Sequence, residues 1–300
     1  MGAAEDHRGA VVFRTMADLD TDSAVSSLGE GRFTAVLSRD WSVWGPNGGY
    51  LAAIALRAAG AMARFPRPAS LSCNFLGVAT FAAVDVEVTA LQRSRRAECL
   101  RVEMTQRGKP ILHATVWTLA ETVDGPAAEW TEPPIVPGPE RLPALEAQVA
   151  AEQHEVLPIW LTCYEIRLAG EHDEGADRPA RDPVVRGWMR MREPGPFASD
   201  VWLDACRAIV AADLVQFPAV TQGFPARDLT FVAPSLDLYT AFHRPAEGVE
   251  WLLVEGQGVA AGGGLIAGRA SVWAPDGRPV ATGSQQMLVR GGTRPTASSG

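Results

Sequence analysis

The chain has 300 residues, 47% of them hydrophobic, so it is long enough for two ordinary domains and can bury a substantial core. The 35 acidic residues outnumber the 27 basic ones, and the net charge of −8 argues against nucleic acid as a partner, because phosphates are bound by Lys and Arg. Four cysteines without Cys-x-x-Cys spacing and five scattered histidines give no metal-ligand pattern, so no metal is expected. The N-terminal residues lack the basic and apolar regions of a signal peptide, and no apolar stretch is long enough to cross a bilayer. The sequence therefore predicts a cytoplasmic protein without a membrane partner.

The first strong signal is the stretch 44–60, WGPNGGYLAAIALRAAG, in which a Pro-Asn-Gly-Gly turn precedes alanine and aliphatic residues. Between Tyr50 and Phe65 the only charged residues are Arg57 and Arg64, seven positions apart and therefore on nearly the same side of a helix. A helix with so narrow a polar strip must be covered almost all round. We predict a helix enclosed by a curved sheet.

Strand patterns surround this helix. Segments 84–89, 100–105 and 184–190 alternate apolar and polar residues, as half-buried antiparallel strands do. One face of each strand should pack on an apolar partner, and the enclosed helix supplies it.

A proline-rich segment divides the chain. Residues 122–157 contain six prolines and are predicted to be a linker, with a short helix from Ala144 to Gln153. The predicted domains are residues 1–121 and 158–300.

The two halves repeat one order of elements. A helix over residues 48–65 in the first half corresponds to one over 200–217 in the second, and strands follow each helix. A Gly-basic-Pro-aliphatic turn then occurs at residues 108–111 and again at 277–280. The repeat indicates one duplicated unit, a helix with an antiparallel sheet.

These features together resemble the double-hotdog acyl-CoA thioesterases of the broad-specificity type II class. The most specific matches are the run Ser235-Leu-Asp-Leu-Tyr-Thr-Ala-Phe-His-Arg-Pro and the later Glu250-Trp-Leu-Leu, and the likeness covers residues 30–121 and 158–290. It implies an α+β fold of two tandem hotdog units, each a long helix wrapped by an antiparallel sheet. It also implies hydrolysis of an acyl-CoA substrate without a cofactor, and assembly into a homodimer or a larger homo-oligomer.

The resemblance also implies a catalytic set. The family uses an Asp near the end of the second hotdog helix, a hydroxyl residue at the start of the next strand and a Gln in the last strand. The matching residues are Asp213, Ser235 and Gln285. Members more often have Thr where this chain has Ser235, and the Gly-rich tract 260–264 departs from the family pattern.

A helical projection independently supports Asp213. Asp200 and Asp204, with Arg207 nearby, indicate the solvated side of the second helix, and Asp213 projects half a turn away among apolar residues. A carboxylate buried there should have a raised pKa, as a general base requires. The alternative is a solvated acid in the last turn before Pro218.

Strand alternation predicts an inward direction for Gln285 but not for Ser235. Gln285 shares its face with apolar residues such as Met287, so it should point inward, either into a site or toward nearby backbone groups. Ser235 shares its face with Asp237 and Tyr239, which are polar, so its placement follows from the resemblance alone.

The Asn-Gly-Gly turn suggests an oxyanion site. If Asn47 caps the helix, then Gly48, Gly49 and Tyr50 lie in its first turn, where free N–H groups and the helix dipole favour negative charge. A thioester carbonyl placed there would be polarised in the transition state. The alternative, compatible with this, is that the glycines only allow close packing.

Arg93, Arg95 and Arg96 form the densest basic cluster and could bind the phosphates of CoA. A solvated hairpin tip explains the same cluster without a ligand.

Two other functions remain open. A hotdog hydratase or dehydratase typically pairs an Asp with a His on the hotdog helix, and neither predicted helix contains a His. An inactive protein that only binds acyl groups would keep the fold without the chemistry.

Overall fold

The computed structural model describes residues 17–152, 158–170 and 177–291. The helices are α1 (Leu19–Asp22), α2 (Gly48–Met62), α3 (Leu145–Glu152), α4 (Pro158–Thr162) and α5 (Val201–Gln222). The strands are β1 (Ser26–Gly29), β2 (Arg32–Val36), β3 (Arg67–Phe75), β4 (Ala83–Arg93), β5 (Ala97–Gln106), β6 (Lys109–Leu119), β7 (Tyr164–Ala169), β8 (Val184–Met191), β9 (Phe231–Val232), β10 (Asp237–Phe242), β11 (Leu252–Gly262), β12 (Leu265–Trp273), β13 (Pro279–Leu288) and β14 (Arg290–Gly291).

Twelve of these strands form one antiparallel sheet in the order β1-β2-β4-β5-β6-β3-β10-β13-β12-β11-β8-β7. The first six in this order come from residues 26–119 and the other six from residues 164–288. The two halves join in the middle, where β3 pairs with β10 from Asn74↔Asp237 to Ser70↔Ala241. The predicted strands at 84–89, 100–105 and 184–190 all lie within this sheet. The expected α+β architecture of two sheet halves, each with a long helix, is confirmed.

The first long helix is enclosed, as its composition predicts. All side chains from residue 49 to residue 59 of α2 are buried except Arg57, which is partly buried. Arg57 forms ion pairs with Asp20 at 3.0 Å and with Asp200, the N-cap of α5, at 2.9 Å. The helix ends at Met62, so Arg64 lies outside it and the predicted polar strip reduces to one paired arginine.

The second long helix lies beside α2 on the same face of the sheet. Glycines in the strands below bring it close: a Cβ on Gly268 would lie 2.9 Å from the Cβ of Gln216, and one on Gly283 would lie 3.8 Å from the Cβ of Ala212. Contact between helix and sheet is therefore nearly backbone to backbone along this part of α5.

Helix α5 is longer than predicted. It continues through Pro218 to Gln222, although a proline usually ends a helix by removing one N–H and crowding the preceding turn. Ala219 and Val220, the residues after the proline, are buried, so packing outweighs the lost hydrogen bond.

The prediction that Asp204 lies on a solvated face is wrong. Asp204 and Arg207 are each only 2% exposed, and they are joined by a 2.8 Å hydrogen bond from Arg207 Nε. The other carboxylate oxygen of Asp204 accepts the N–H groups of Ala246 at 2.7 Å and Glu247 at 3.1 Å. The projection recognised charged residues, but it had no means of showing the distant loop that satisfies them.

The proline-rich segment packs along the edge of the second sheet half. The indole N–H of Trp188 donates to the carbonyl of Pro137 at 2.9 Å, and Arg167 donates to the carbonyls of Pro139 and Leu142 at 3.0 and 2.8 Å. The predicted short helix is present as α3. None of the helices in the described ranges is long and apolar enough to cross a bilayer.

Candidate active site

Asp213 lies in the middle of α5, with only 7% of its surface exposed, and faces the start of α2. Its Oδ2 accepts hydrogen bonds from Asn47 Nδ2 at 2.8 Å and from the backbone N–H of Gly49 at 3.0 Å. No hydrogen bond to Oδ1 occurs in the part of the chain that the structure describes. The carboxylate is thus anchored by one oxygen and open at the other, and the alternative of a solvated last-turn acid is wrong.

The pKa of Asp213 reflects opposing effects. Burial disfavours the charged carboxylate and raises the pKa above its usual range. The hydrogen bonds from Gly49 and Asn47 favour the charged form and lower it, but burial is the larger effect. A carboxylate with a raised pKa is a better proton acceptor near neutral pH than an ordinary Asp.

Asn47 connects the two helices. Its Oδ1 accepts the N–H of Tyr50 at 2.9 Å and so caps α2, while its Nδ2 donates to Asp213. Ser or Asp would cap the helix equally well, but neither carries an amide donor as Asn does. Asn47 therefore positions the carboxylate as well as starting the helix.

The structure corrects the predicted oxyanion site. The N–H of Gly49 is bonded to Asp213 and that of Tyr50 to Asn47, so neither is open to a substrate carbonyl. The side chain of Tyr50 is fully buried and donates to the carbonyl of Asp22 at 2.6 Å, which is a structural contact. The N–H of Gly48 has no partner among the described residues and is the remaining donor of the first turn.

Close packing explains the second glycine. A Cβ on Gly49 would lie 2.9 Å from the Cβ of Asp213 and 3.0 Å from the Cα of Val210, so a larger residue would push the helices apart. A Cβ on Gly48 would lie 3.5 Å from Oδ1 of Asp213 and would cover the open oxygen.

Ser235 and Gln285 are brought together. The Ser235 hydroxyl donates to Oε1 of Gln285 at 3.1 Å, and Gln285 is only 3% exposed. The Nε2 of Gln285 donates to the sulfur of Met287 at 3.6 Å. The inward direction predicted for Gln285 is confirmed.

A shift in strand pairing explains why alternation failed for Ser235. Tyr239 pairs with Ser284, whereas Ser235, four residues earlier, forms a bridge with Met287, only three residues later. The extra residue reverses which side chains point inward just before β10, so Ser235 points inward and Leu236 is exposed. A one-residue irregularity of this kind leaves no mark in the hydrophobic pattern.

Contacts between neighbouring residues connect the Ser235–Gln285 pair with Asp213. Position 283, two residues before Gln285 on the same face of β13, contacts Ala212. On the other side, the N–H of Phe75 donates to the carbonyl of Leu236 at 2.9 Å, and the ring of Phe75 would lie 3.1 Å from a Cβ on Gly48. The start of α2, the middle of α5 and the ends of β3, β10 and β13 thus converge on one site.

The arginine cluster lies elsewhere. Arg93, Arg95 and Arg96 are exposed at the β4–β5 hairpin, where Arg93 pairs with Glu98 at 2.6 Å. Glu98 also accepts the N–H of Arg64, just beyond the C-terminal end of α2. Since Asp213 contacts the other end of α2, the cluster is about 21 Å from it by helix rise.

The two helices are related by pseudo-symmetry, so the Gly49–Asp213 contact has a counterpart elsewhere along them. Gly49 and Asp213 stand two and thirteen residues after the N-caps of α2 and α5, and they are in contact. The exchanged positions are Trp202 in α5 and Gly60 in α2, where a Cβ on Gly60 would lie 2.6 Å from the indole ring. At this second contact, Gly60 stands where the first contact has Asp213, and Trp202 stands where the first has Gly49.

The strands show the same asymmetry. Gln285 stands eight residues after Gly277 of its turn, and the residue eight after Gly108 is Val116, which is fully buried. One half-site carries the polar set, and its counterpart is filled with apolar side chains.

A groove of about 590 Å³ lies apart from Asp213, on the first sheet half. Its lining carries three acids, Asp85, Glu87 and Glu103, against one arginine, Arg32, so its net negative charge disfavours the phosphates of CoA. Within the described ranges, no group of three or more His, Cys, Asp or Glu residues could hold a metal ion.

The fold and the site define a double-hotdog protein with one polar centre between its two helices. Two family models match the chain, the acyl-CoA thioesterase N-terminal domain over residues 37–119 and the acyl-CoA thioesterase C-terminal domain over residues 139–289. The chain belongs to this acyl-CoA thioesterase family and is a thioester hydrolase.

Solved structures agree on the fold. A putative thioesterase II from Thermobifida fusca is 21% identical, with a TM-score of 0.76, and the match covers 92% of this chain and 98% of that one. Acyl-CoA thioesterase II TesB2 from Mycobacterium marinum is 20% identical, with a TM-score of 0.73 and coverage of 94% and 100%. The dehydratase domain of PpsC from Mycobacterium tuberculosis, solved with C12:1-CoA, is more distant, at 14% identity, a TM-score of 0.53 and coverage of 90% and 99%. A comparison with curated proteins finds no match.

Proposed function

We propose that the chain hydrolyses acyl-CoA to the free acid and CoA with a water molecule activated by Asp213. The observation that supports this proposal is the environment of the Asp213 carboxylate, which Asn47 and Gly49 anchor through Oδ2 and which is open at Oδ1. A general base needs this combination, because it must be held in place and still be free to accept a proton.

The chemistry follows in two steps. Oδ1 of Asp213 takes a proton from water as the water oxygen bonds to the thioester carbon, and the carbonyl electrons move to its oxygen. The intermediate then collapses, the carbon–sulfur bond breaks, and Asp213 returns the proton to the departing sulfur of CoA. Neither a serine nor a cysteine nucleophile is required.

The other residues hold the reactants. The remaining O–H of the water donates to Oε1 of Gln285, which the Ser235 hydroxyl already holds in place, and the pair so orients the water opposite Asp213. The open N–H of Gly48 and the positive end of the α2 dipole stabilise the oxyanion, a contribution that can reach about 10²–10³ in rate.

The hydratase alternative lacks its histidine at this site. Neither α2 nor α5 contains a His. Of the histidines in the described ranges, His113 pairs with Glu103 and Asn74 on the outer face of the sheet. His243 bonds to Thr282 at 2.9 Å, near the start of α5. The inactive binding protein would keep the fold but would have no need of an open, buried carboxylate.

The test is release of free thiol from a panel of acyl-CoA substrates of different chain lengths. Asp213→Asn should lower kcat by about 10²–10⁴ while acyl-CoA still binds, because the amide keeps the volume but accepts no proton. The matched control is Asp182→Asn, an exposed acid outside the site, which should match the wild type. Hydration of enoyl-CoA without thiol release, or binding without turnover, would favour the alternatives.

The same proposal includes the organisation of the protein. We place the domains at residues 1–121 and 158–300 with a linker at 122–157, which agrees with sheet halves drawn from 26–119 and 164–288. The four cysteines lie in the described ranges, are buried and form no disulfide there, as in proteins of a reducing compartment such as the cytoplasm. Trp117 and Tyr239, exposed by 41% and 44% on the outer sheet face, favour a homodimer or larger assembly. Light scattering that finds only a 32.0 kDa species at micromolar concentration would contradict the assembly.

A further inference from the structure

One polar side chain in the core of α5 has no role in the mechanism so far. Gln216, one turn after Asp213, is fully buried, and its Nε2 donates to the carbonyl of Ala212 at 3.0 Å. Its Oε1 is buried without a hydrogen-bond partner. An unpaired buried acceptor destabilises the folded state, so an apolar residue would be more stable at this position unless the oxygen has a use.

The sheet makes room for this side chain. A Cβ on Gly268 would lie 2.9 Å from the Cβ of Gln216 and 3.3 Å from its Oε1, so residue 268 must be glycine for Gln216 to fit. Gly268 stands directly opposite Gln285 in the β12–β13 ladder. Directly opposed Cβ positions in an antiparallel pair are about 4.5–5.5 Å apart, so Oε1 of Gln216 lies beside the Gln285 side chain.

The two amides complement each other. Gln285 uses Oε1 to accept from Ser235, and its Nε2 has only the thioether sulfur of Met287, at 3.6 Å, as acceptor. A thioether is a weak acceptor, so Gln285 has a nearly unused donor close to an unused acceptor on Gln216. The terminal torsion of Gln is broad, so a small rotation or one bridging water would join them.

We propose that Gln216 is a positioning residue for the hydrolysis proposed above. Its Oε1 accepts a hydrogen bond from Nε2 of Gln285, directly or through one water, and this contact fixes which way the Gln285 amide faces. The oxygen of Gln285 is then held toward Ser235 and the attacking water. Gln216 itself touches neither the substrate nor the water, and the inference rests on the proposed function of Gln285.

The first experiment is Gln216→Met, which keeps the shape and removes both polar atoms. We expect kcat to fall about tenfold with KM unchanged, because the water is less well oriented while the substrate contacts remain. The melting temperature should stay level or rise, since an unpaired buried acceptor is removed. The same substitution in a Gln285→Met background should have no further effect. An equal loss in both backgrounds, or no loss in the wild-type background, would overturn the proposal.

The second experiment moves Gln216 without changing it. Gly268→Ala should reproduce the loss of kcat, because the new Cβ displaces Gln216, whereas Gly262→Ala in the same hairpin has no atom within 4 Å and should not. Full activity of Gly268→Ala would count against the proposal. Asp213→Asn, measured alongside, distinguishes the proposed function from the role of Gln216. If Asp213→Asn keeps turnover, the proposed function fails. If Asp213→Asn loses turnover and the variants at 216 and 268 do not, only the role of Gln216 fails.

Discussion

At the scale of single residues, the two carboxylate oxygens of Asp213 have different tasks, since Oδ2 holds the side chain in place and Oδ1 is the proposed proton acceptor. Asn47 and Gly49 hold Oδ2, and both belong to the first turn of the other long helix. The glycines of this turn let the carboxylate reach the helix N-terminus, where the dipole partly offsets the cost of burying a charge. The net effect is a base that is held firmly and still has a raised pKa.

Asp213→Asn should increase stability at neutral pH. The folded pKa of Asp213 lies above the unfolded value of about 4, so the folded state binds more protons between the two values. The free energy of unfolding of the wild type therefore falls as pH rises through this window, and the amide, which does not ionise, escapes that loss. Urea unfolding should show the variant as more stable at pH 7, with a smaller difference below the unfolded pKa. A less stable variant at pH 7 would contradict the assignment.

Asn47→Ser separates the two tasks of the cap residue. Serine still caps α2, so the helix itself should lose little stability, but serine donates no hydrogen bond to Oδ2, and the free energy of unfolding at neutral pH should therefore fall by about 1–3 kcal/mol. Since Asn47 lowers the pKa of Asp213, its loss should raise that pKa further. The acidic limb of the kcat/KM profile should move to higher pH. Asn74→Ser, at an exposed position of β3, is the control, and an unmoved limb in Asn47→Ser would exclude the contact.

At the scale of elements, the direction of α2 determines what can take part in catalysis. Its N-terminus meets Asp213, while its C-terminus lies by the β4–β5 hairpin and the predicted CoA-binding arginines. The β5–β6 turn, with Arg107 and Lys109, lies at the opposite end of β5. Phe75, which pairs with Leu112 near the start of β6, lies against Gly48, so this is the end where α2 begins.

Charge reversal at the two turns distinguishes the candidate phosphate contacts. We expect Arg107→Glu with Lys109→Glu to raise KM for acyl-CoA several-fold and to weaken its salt dependence, because these cations lie at the active end. Arg95→Glu with Arg96→Glu should raise KM less, since the hairpin is about 21 Å away by helix rise. Steady-state kinetics at low and moderate salt would show the difference. A larger effect at the hairpin would restore the arginine cluster as the phosphate site.

At the scale of the whole molecule, duplication gave two related helix crossings, of which one carries the polar residues. At the other crossing, Trp202 packs on Gly60, and Val116 occupies the place that corresponds to Gln285. The second crossing therefore has apolar packing where the first has polar groups. An apolar contact of this kind stabilises the joined sheet without the cost of a buried acid.

This asymmetry predicts one substrate site in each chain. Titration calorimetry with Asp213→Asn and a slowly hydrolysed acyl-CoA should give one molecule bound for each 32.0 kDa chain, whatever the oligomeric state. The variant binds without turnover and so keeps the ligand intact during the measurement. Two bound molecules for each chain would show that the crossing at Trp202 also accepts substrate.

The sequence by itself determined the parts of this protein that follow from local pattern. The enclosed helix follows from the scarcity of polar residues between Tyr50 and Phe65, where only Arg57 and Arg64 are charged, and the strands follow from alternation, because burial imposes these periods on the residues. The inward direction of Gln285 follows from the same alternation. The resemblance in the run from Ser235 to Pro245 supplied the family.

Only the tertiary structure decided which groups meet. The bulge that turns Ser235 inward, the loop that satisfies Asp204, and the contact of Asn47 with Asp213 join residues far apart in the chain. Each depends on where a distant backbone lies, and hydrophobic periodicity carries no information about that. The open acceptor of Gln216 and the filled second crossing at Trp202 became visible for the same reason, since both exist only because glycines in another element leave them room.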